Sequence, residues 1–302
     1  MKFILGTVGS PNAKYEDLEK VFDAVYEHYG KKTIIDTGHG YMKNDDNHNA
    51  EAYIGRWIKD RGLSPEKDLK VIDKIGLWYQ ENRDGERKIQ DPSEILEEMN
   101  RRLGFIPETV LIHALKDAET ISGERYLKLA QFIEDTPEIK VSGFSAHMQF
   151  EPLLLWVNKL SEFSKQHYAM LPYSVLSDTP TIIEDDKGKH FSQEKNIYNI
   201  DVWPNCTKEG FKLAKNHNFE TIIMMPREQG KIKQISHAPL WQNWCFRYAC
   251  MNEYADYISA SSLSVSHVKE NIAIVEGSWY HQTNKEGLQD KIIAESEELG
   301  NW

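Results

Sequence analysis

The sequence predicts an α/β protein of the (β/α)8 or TIM barrel class, one domain over 1–302 with extended loops at the C-terminal face of the strands, and three observations predict it. Eight apolar runs of strand length alternate with amphipathic segments of helix length, the pattern of βα units and a parallel sheet. No Gly-x-Gly-x-x-Gly follows an early strand, which turns the reading away from a doubly wound dinucleotide fold; Gly6-Thr7-Val8-Gly9 comes nearest and lacks the pattern. Four reactive side chains, Asp36, Tyr41, Lys74 and His113, fall at or just beyond the C-terminal ends of predicted strands, where barrel enzymes carry their chemistry.

The predicted strands are 3–8, 33–36, 69–74, 109–113, 140–144, 168–173, 220–225 and 257–260. After the first, Leu18, Val21, Phe22 and Val25 recur at i, i+3, i+4 and i+7, the spacing of one buried helical stripe. The same reasoning places helices at about 50–61, 92–103, 122–134, 149–166, 207–217, 239–254 and 264–274. Polar stretches at about 76–91, 174–206 and 226–238 exceed ordinary loop length, so they are expected to line a pocket mouth or to carry structure of their own. Ile182 and Ile183 precede an acidic, Gly-containing turn, which predicts a hairpin over 179–188, and 284–299 reads as a final surface helix.

Composition narrows the function. Hydrophobic residues at 40% and charged residues at 27% are those of a soluble globular protein. A formal net charge of −11 argues against nucleic-acid and anionic-membrane surfaces, which require clustered Lys and Arg. No apolar run approaches the roughly 20 residues of a spanning helix. The stretch after Met1 is too short for a signal peptide, so a cytoplasmic setting is expected. Cys206, Cys245 and Cys250 suit neither a disulfide framework nor a zinc site, and no metal is expected. The sequence does not set the oligomeric state.

The four strand-end residues suit one kind of chemistry. A phenol with a pKa near 10 is a weak acid at neutral pH. A neighbouring ammonium lowers that pKa, and a carboxylate paired to the ammonium holds it in place. Tyr41, Lys74 and Asp36 supply these three groups, and His113 can orient a carbonyl oxygen while it takes a proton from Tyr41. Carbonyl reduction by hydride is the reaction this set suits.

At these residues the chain resembles the aldo-keto reductases. Their Asp-Thr-Ala-x-x-Tyr is matched by Asp36-Thr37-Gly38-His39-Gly40-Tyr41, with Ala50-Glu51 where their Ser-Glu opens the next helix. Their Lys-ending strand resembles Val71-Ile72-Asp73-Lys74, and their Leu-x-x-x-His strand resembles Thr109-Val110-Leu111-Ile112-His113. The segment Ile95 to Gly104 resembles the helix upstream of that strand, and order and spacing match over about 3–275. The resemblance implies reduction of an aldehyde or ketone with NADP(H) or NAD(H), without metal. Tyr41 would be the general acid, Lys74 and Asp36 its tuning pair, and His113 the orienting group.

The resemblance also implies a cofactor pocket. It would run over Gly6, Thr7 and Asp36 and over Ser145 and Ala146, which match a Gly-x-Ser-Asn at Gly143-Phe144-Ser145-Ala146. It continues over Met170, where the family has Gln, then Met224 in place of the stacking aromatic, Met225, Pro226 and Arg227. At the adenine end fall Ser261, Ser262, His267, Glu270 and Asn271; Ser261 and His267 stand where a Lys and an Arg usually clamp the 2′-phosphate, which leaves the choice between NADPH and NADH open. Ser261, Ser262 and Ser264 at a helix N-terminus suit an anion, and Arg227, Lys231 and Lys233 are candidates for the pyrophosphate. His39 is expected to flank the substrate, and Trp78, Trp203 and Trp241 to shape its pocket or to pack. Asp45-Asp46-Asn47-His48 reads as a solvated loop rather than a metal site. The substrate reading is a small polar carbonyl compound such as a sugar derivative. The alternatives are an isomerase or lyase using the same groups for proton transfer alone, and a non-catalytic binding relative of the family.

Overall fold

The structure is a computed structural model that describes residues 1–7, 13–42, 48–77, 79–81, 87–115, 121–148, 150–174, 180–185, 188–196, 206–227 and 241–277. Eight parallel strands close into a barrel: β1 (Lys2–Gly6), β2 (Ile34–Asp36), β3 (Lys70–Ile75), β6 (Thr109–Leu115), β7 (Val141–Ala146), β8 (Gln166–Pro172), β11 (Glu220–Met224) and β12 (Tyr257–Ser261). The seam is parallel as well, with Lys2 opposite Tyr257 and Gly6 opposite Ser261. The helices of the outer layer are α1 (Tyr15–Tyr29), α2 (Ala50–Asp60), α3 (Pro92–Leu103), α4 (Ile121–Asp135), α5 (Phe150–Leu160), α6 (Lys208–Asn216), α7 (Trp241–Cys250) and α8 (Val265–Glu276). The expected fold class is therefore present.

Local sequence explains several boundaries. Asn49 caps α2 by accepting from Ala52 N at 2.7 Å, and Asp91 caps α3 by accepting from Ser93 N at 2.9 Å, with Pro92 in the first turn, where a missing N–H costs nothing. α3 stops at Gly104, whose φ of 85° is the left-handed conformation that lets its N–H close on Asn100 O. The expected hairpin appears as β9 (Pro180–Asp185) paired antiparallel with β10 (Gly188–Asn196). A second small hairpin, β4 (Tyr79–Glu81) with β5 (Arg87–Ile89), occupies part of the polar stretch 76–91. Each is inserted in the connection leaving the C-terminal end of a barrel strand. The helix expected at 284–299, together with Val8, Trp78, Trp203, Lys231, Lys233 and the segment 45–47, lies outside the described residues.

Two cores follow from the strand alternation. Outward residues such as Val71, Ile112, Phe144 and Ile258 join the helices in one large core, while Ile4, Ile72, Leu111, Tyr168, Met170, Ile222 and Tyr257 fill the barrel, with Ile34, Val141 and Met224 packed on them. Since strand side chains alternate, the residue two positions after each interior residue also faces inward, one layer higher. That layer contains Asp36, Lys74, His113, Met224 and Ser259, and Ser145 follows one step further along β7.

Candidate functional site

Lys74, 1% exposed, would be costly to bury alone, and its neighbours explain why it is there. Its Nζ donates to Asp36 Oδ1 in a short ion pair and to the carbonyl oxygen of Thr37 at 2.5 Å. Asp36 is in turn held by the Ser259 hydroxyl, which donates to Oδ2 at 3.2 Å, and its backbone oxygen receives both the N–H and the hydroxyl of Thr7 at 2.9 and 3.0 Å. Burial pushes the Lys74 ammonium downward, but the carboxylate of Asp36, with Tyr41 and Asp73, more than reverses this and holds it above its ordinary value.

The turn after β2 brings the phenol over this pair. Thr37 N donates to Ile72 O at 2.8 Å, His39 N to Lys74 O at 3.1 Å, and Tyr41 N to Gly38 O at 3.0 Å. The ring then folds back on its own turn, and a Cβ at Gly38 would lie 2.9 Å from Tyr41 Cζ, so a larger residue there would push the phenol aside. Lys74 Nζ sits 5.2 Å from the Tyr41 ring centre, and the Tyr41 hydroxyl is 3.3 Å from His113 Nε2. The four sequence-picked residues are thus together. One expectation is modified: although Lys74 pulls the phenol down, burial outweighs it and Tyr41 lies above its ordinary pKa. His113 is held neutral down to about 3, by burial first and then by the Lys74 charge.

The cofactor positions divide into three groups. Gly6 and Thr7 are buried beside Asp36, and Ser145 is buried with its hydroxyl accepting from Ala114 N at 3.0 Å. Ala146 is packed in the outer core and Met170 in the interior one, while Met224 and Met225 are half-buried and Pro226 is buried. Around α8, Ser261, His267 and Glu270 are exposed, and Ser262 Oγ donates to Ser264 O at 3.1 Å while accepting from Ser264 N at 3.0 Å. Glu270 and Asn271 do not act side by side. Asn271 is fully buried and accepts at Oδ1 from Arg227 Nη2 at 2.7 Å, and that guanidinium lies 4.7 Å from the Phe246 ring centre.

Several residues were not anticipated. Ser259 is legible only through register, as an inward position two before Ser261. His147, following Ser145 and Ala146, is half-buried at the end of β7 and held down to about 4 by burial. His39 was expected at the substrate, but it is 3% exposed and turned away into a charged cluster. Its Nδ1 is 3.4 Å from Arg102 Nη1 and 3.5 Å from Glu51 Oε1, and its Nε2 is 3.4 Å from Glu98 Oε2. Arg102 donates to Glu51 Oε2 at 2.9 Å and reaches Glu98 at 3.4 Å. Beside this cluster, Asp73 is pushed well above the carboxylate range by burial and by Glu51. Among the described residues no three His, Cys, Asp or Glu side chains form a metal-binding group, and no helix is long and apolar enough to cross a membrane.

A closed barrel with an inward Asp, Lys and His around a phenol defines the class of architecture, and solved structures of the same fold are known. An aldo-keto reductase from Klebsiella pneumoniae in complex with NADPH matches at 15% identity and a TM-score of 0.60, over 93% of this chain and 88% of that one. A second structure of an aldo/keto reductase from Klebsiella pneumoniae, with NADP and acetate, matches at 16% identity and 0.58, over 91% and 85%. A putative aldo-keto reductase from Pseudomonas aeruginosa matches at 15% identity and 0.57, over 90% and 88%. No protein-family model and no curated protein sequence matches the chain. The likeness is one of fold.

Proposed function

We propose that the protein reduces an aldehyde or ketone with a nicotinamide cofactor, NADP(H) or NAD(H), using Tyr41 as the proton donor. The observation that carries this reading is the Tyr41 hydroxyl 3.3 Å from His113 Nε2, above the buried Lys74 and Asp36 pair. The fold is also that of the Klebsiella pneumoniae reductases solved with NADPH and NADP.

The donor set fits such a cofactor. The hydroxyls of Ser261, Ser262 and Ser264 lie at the start of α8, where backbone N–H groups favour a phosphate. Exposed His267 and Glu270 on the same helix suit the adenosine end, and half-buried Met224 and Met225 offer thioethers to a ring face. When bound, the cofactor supplies the hydride. The chain supplies the rest. Tyr41 holds its proton at neutral pH, as an ordinary phenol does and with burial adding to that, and the ammonium of Lys74 stabilises the phenolate left once that proton has moved to the carbonyl oxygen. Asp36 keeps Lys74 in place and charged, and neutral His113 can donate a second hydrogen bond to the same oxygen. The polar composition of 76–91 and 226–238 supports a small polar carbonyl compound, such as a sugar derivative, as substrate.

Tyr41→Phe is expected to leave cofactor affinity nearly intact while lowering turnover by about two orders of magnitude or more. Wild-type turnover in that variant would remove Tyr41 from the acid role. A second reading, proton transfer without hydride, is favoured by one observation: Ala146 and Met170, at the positions where the family holds the carboxamide, are both buried in apolar packing. Isomerase or lyase turnover in the absence of nicotinamide would support it.

A further inference from the structure

We infer that buried His39, Glu51 and Arg102, with half-buried Glu98, form a positioning device that holds the Tyr41 turn in register with Lys74. The inference rests on the reading of Tyr41 as the proton donor. Three observations carry it. The set connects the elements around the turn: His39 belongs to the turn itself, Glu51 to α2, and Glu98 and Arg102 to α3, with Arg102 and His39 each 2.9 to 3.5 Å from the other and from both glutamates. His39 also ties the turn to the barrel, since its backbone N–H donates to the carbonyl of Lys74 while its ring enters the cluster. With the proton on Nε2, that ring accepts from Arg102 and donates to Glu98, so both nitrogens are used. Finally, the two helices are held unusually close. A Cβ at Gly55 would lie 2.4 Å from Arg102 O, and this approach delivers Arg102 to Glu51.

An ion pair this deeply buried contributes little net stability compared with apolar side chains of similar size. Its geometry, by contrast, is directional, and reactive groups lose rate when displaced by as little as about 1 Å. The set is therefore expected to act on the placement of Tyr41 rather than on overall stability. Gln90 Nε2, donating to Glu98 Oε1 at 2.9 Å, holds the outer end of the cluster.

The test replaces the pair together, Glu51→Met with Arg102→Met, so that no buried charge is left facing an apolar partner. In the folded variant, hydrogen exchange at the amides of 38–41 should rise about tenfold or more while the barrel strands keep their protection. For carbonyl reduction, kcat should fall about tenfold to a hundredfold with KM and cofactor Kd within about twofold. Unchanged exchange at 38–41, or a loss confined to KM, would overturn the inference. Should the double variant fail to fold, His39→Gln is read in the same two ways. The exchange measurement decides the positioning role even if the wild-type protein reduces no carbonyl, so failure of the inference and failure of the reductase reading are separable.

Discussion

Burial favours the neutral form of both Tyr41 and His113, with opposite effects on their pKa values. It raises the phenol above its ordinary value, and it keeps the imidazole uncharged next to Lys74. For His113 the cost appears in stability against acid. Its folded value of about 3 lies below its ordinary 6.5, so the unfolded chain takes the proton first. The associated stability is complete above pH 6.5 and is lost progressively as the pH falls towards about 3. Urea unfolding of His113→Gln should therefore show a free energy that depends less steeply on pH between about 6 and about 4, by about 1.4 kcal/mol per pH unit. An unchanged slope would mean that His113 carries its charge in the folded protein. The residues of the tetrad were legible in the sequence because each ends or follows an apolar run. Burial itself was not, which is why the direction of the Tyr41 shift had to come from the structure.

At the scale of elements, α8 sets the cofactor end of the site. Ser262 and Ser264 bond to each other at its start, His267 is exposed one turn later, and Asn271 is committed to Arg227 beneath. Only the exposed face can meet a ligand without rearrangement. His267→Arg should then raise affinity for NADPH relative to NADH, because a guanidinium forks onto a phosphate where an imidazole cannot. An unchanged ratio in paired binding titrations would place the 2′ position elsewhere. The same element shows what sequence reading could not reach: Glu270 and Asn271 are adjacent in the chain, yet one is exposed and the other buried, a difference set by how α8 packs on α1, α7 and β1. α2 and α3 repeat the point. Arg102 follows Arg101 near a helix end, where basic residues usually meet solvent, and only the close approach at Gly55 turns it inward to Glu51. Most strands and helices were readable within a few residues because their periodicities are local, but the helix expected to 166 ends at Leu160, and Gln166 already opens β8. The pairing of Arg102 with Glu51 is not local.

Over the whole molecule, strand alternation places one reactive layer above an apolar filling. Ile72 and Lys74, Leu111 and His113, and Ile222 and Met224 are successive inward positions of their strands, so the packing of the lower residue orients the upper one. The barrel was visible in the sequence as eight repeats of one unit, and its closure through β1 and β12 follows from that count. The layer so formed is complete for proton transfer, whereas the residues around it that would hold a nicotinamide are a mixture of exposed hydroxyls, thioethers and buried apolar groups. Cofactor binding is thus the claim on which reduction depends. Titration of the purified protein with NADPH and with NADH, followed by fluorescence, tests it directly. The account predicts saturable binding of at least one of them, with a dissociation constant of about 1 μM to 1 mM by analogy with ordinary Michaelis constants. Absence of binding by both at millimolar concentration would contradict it and leave proton transfer without hydride as the chemistry of Tyr41.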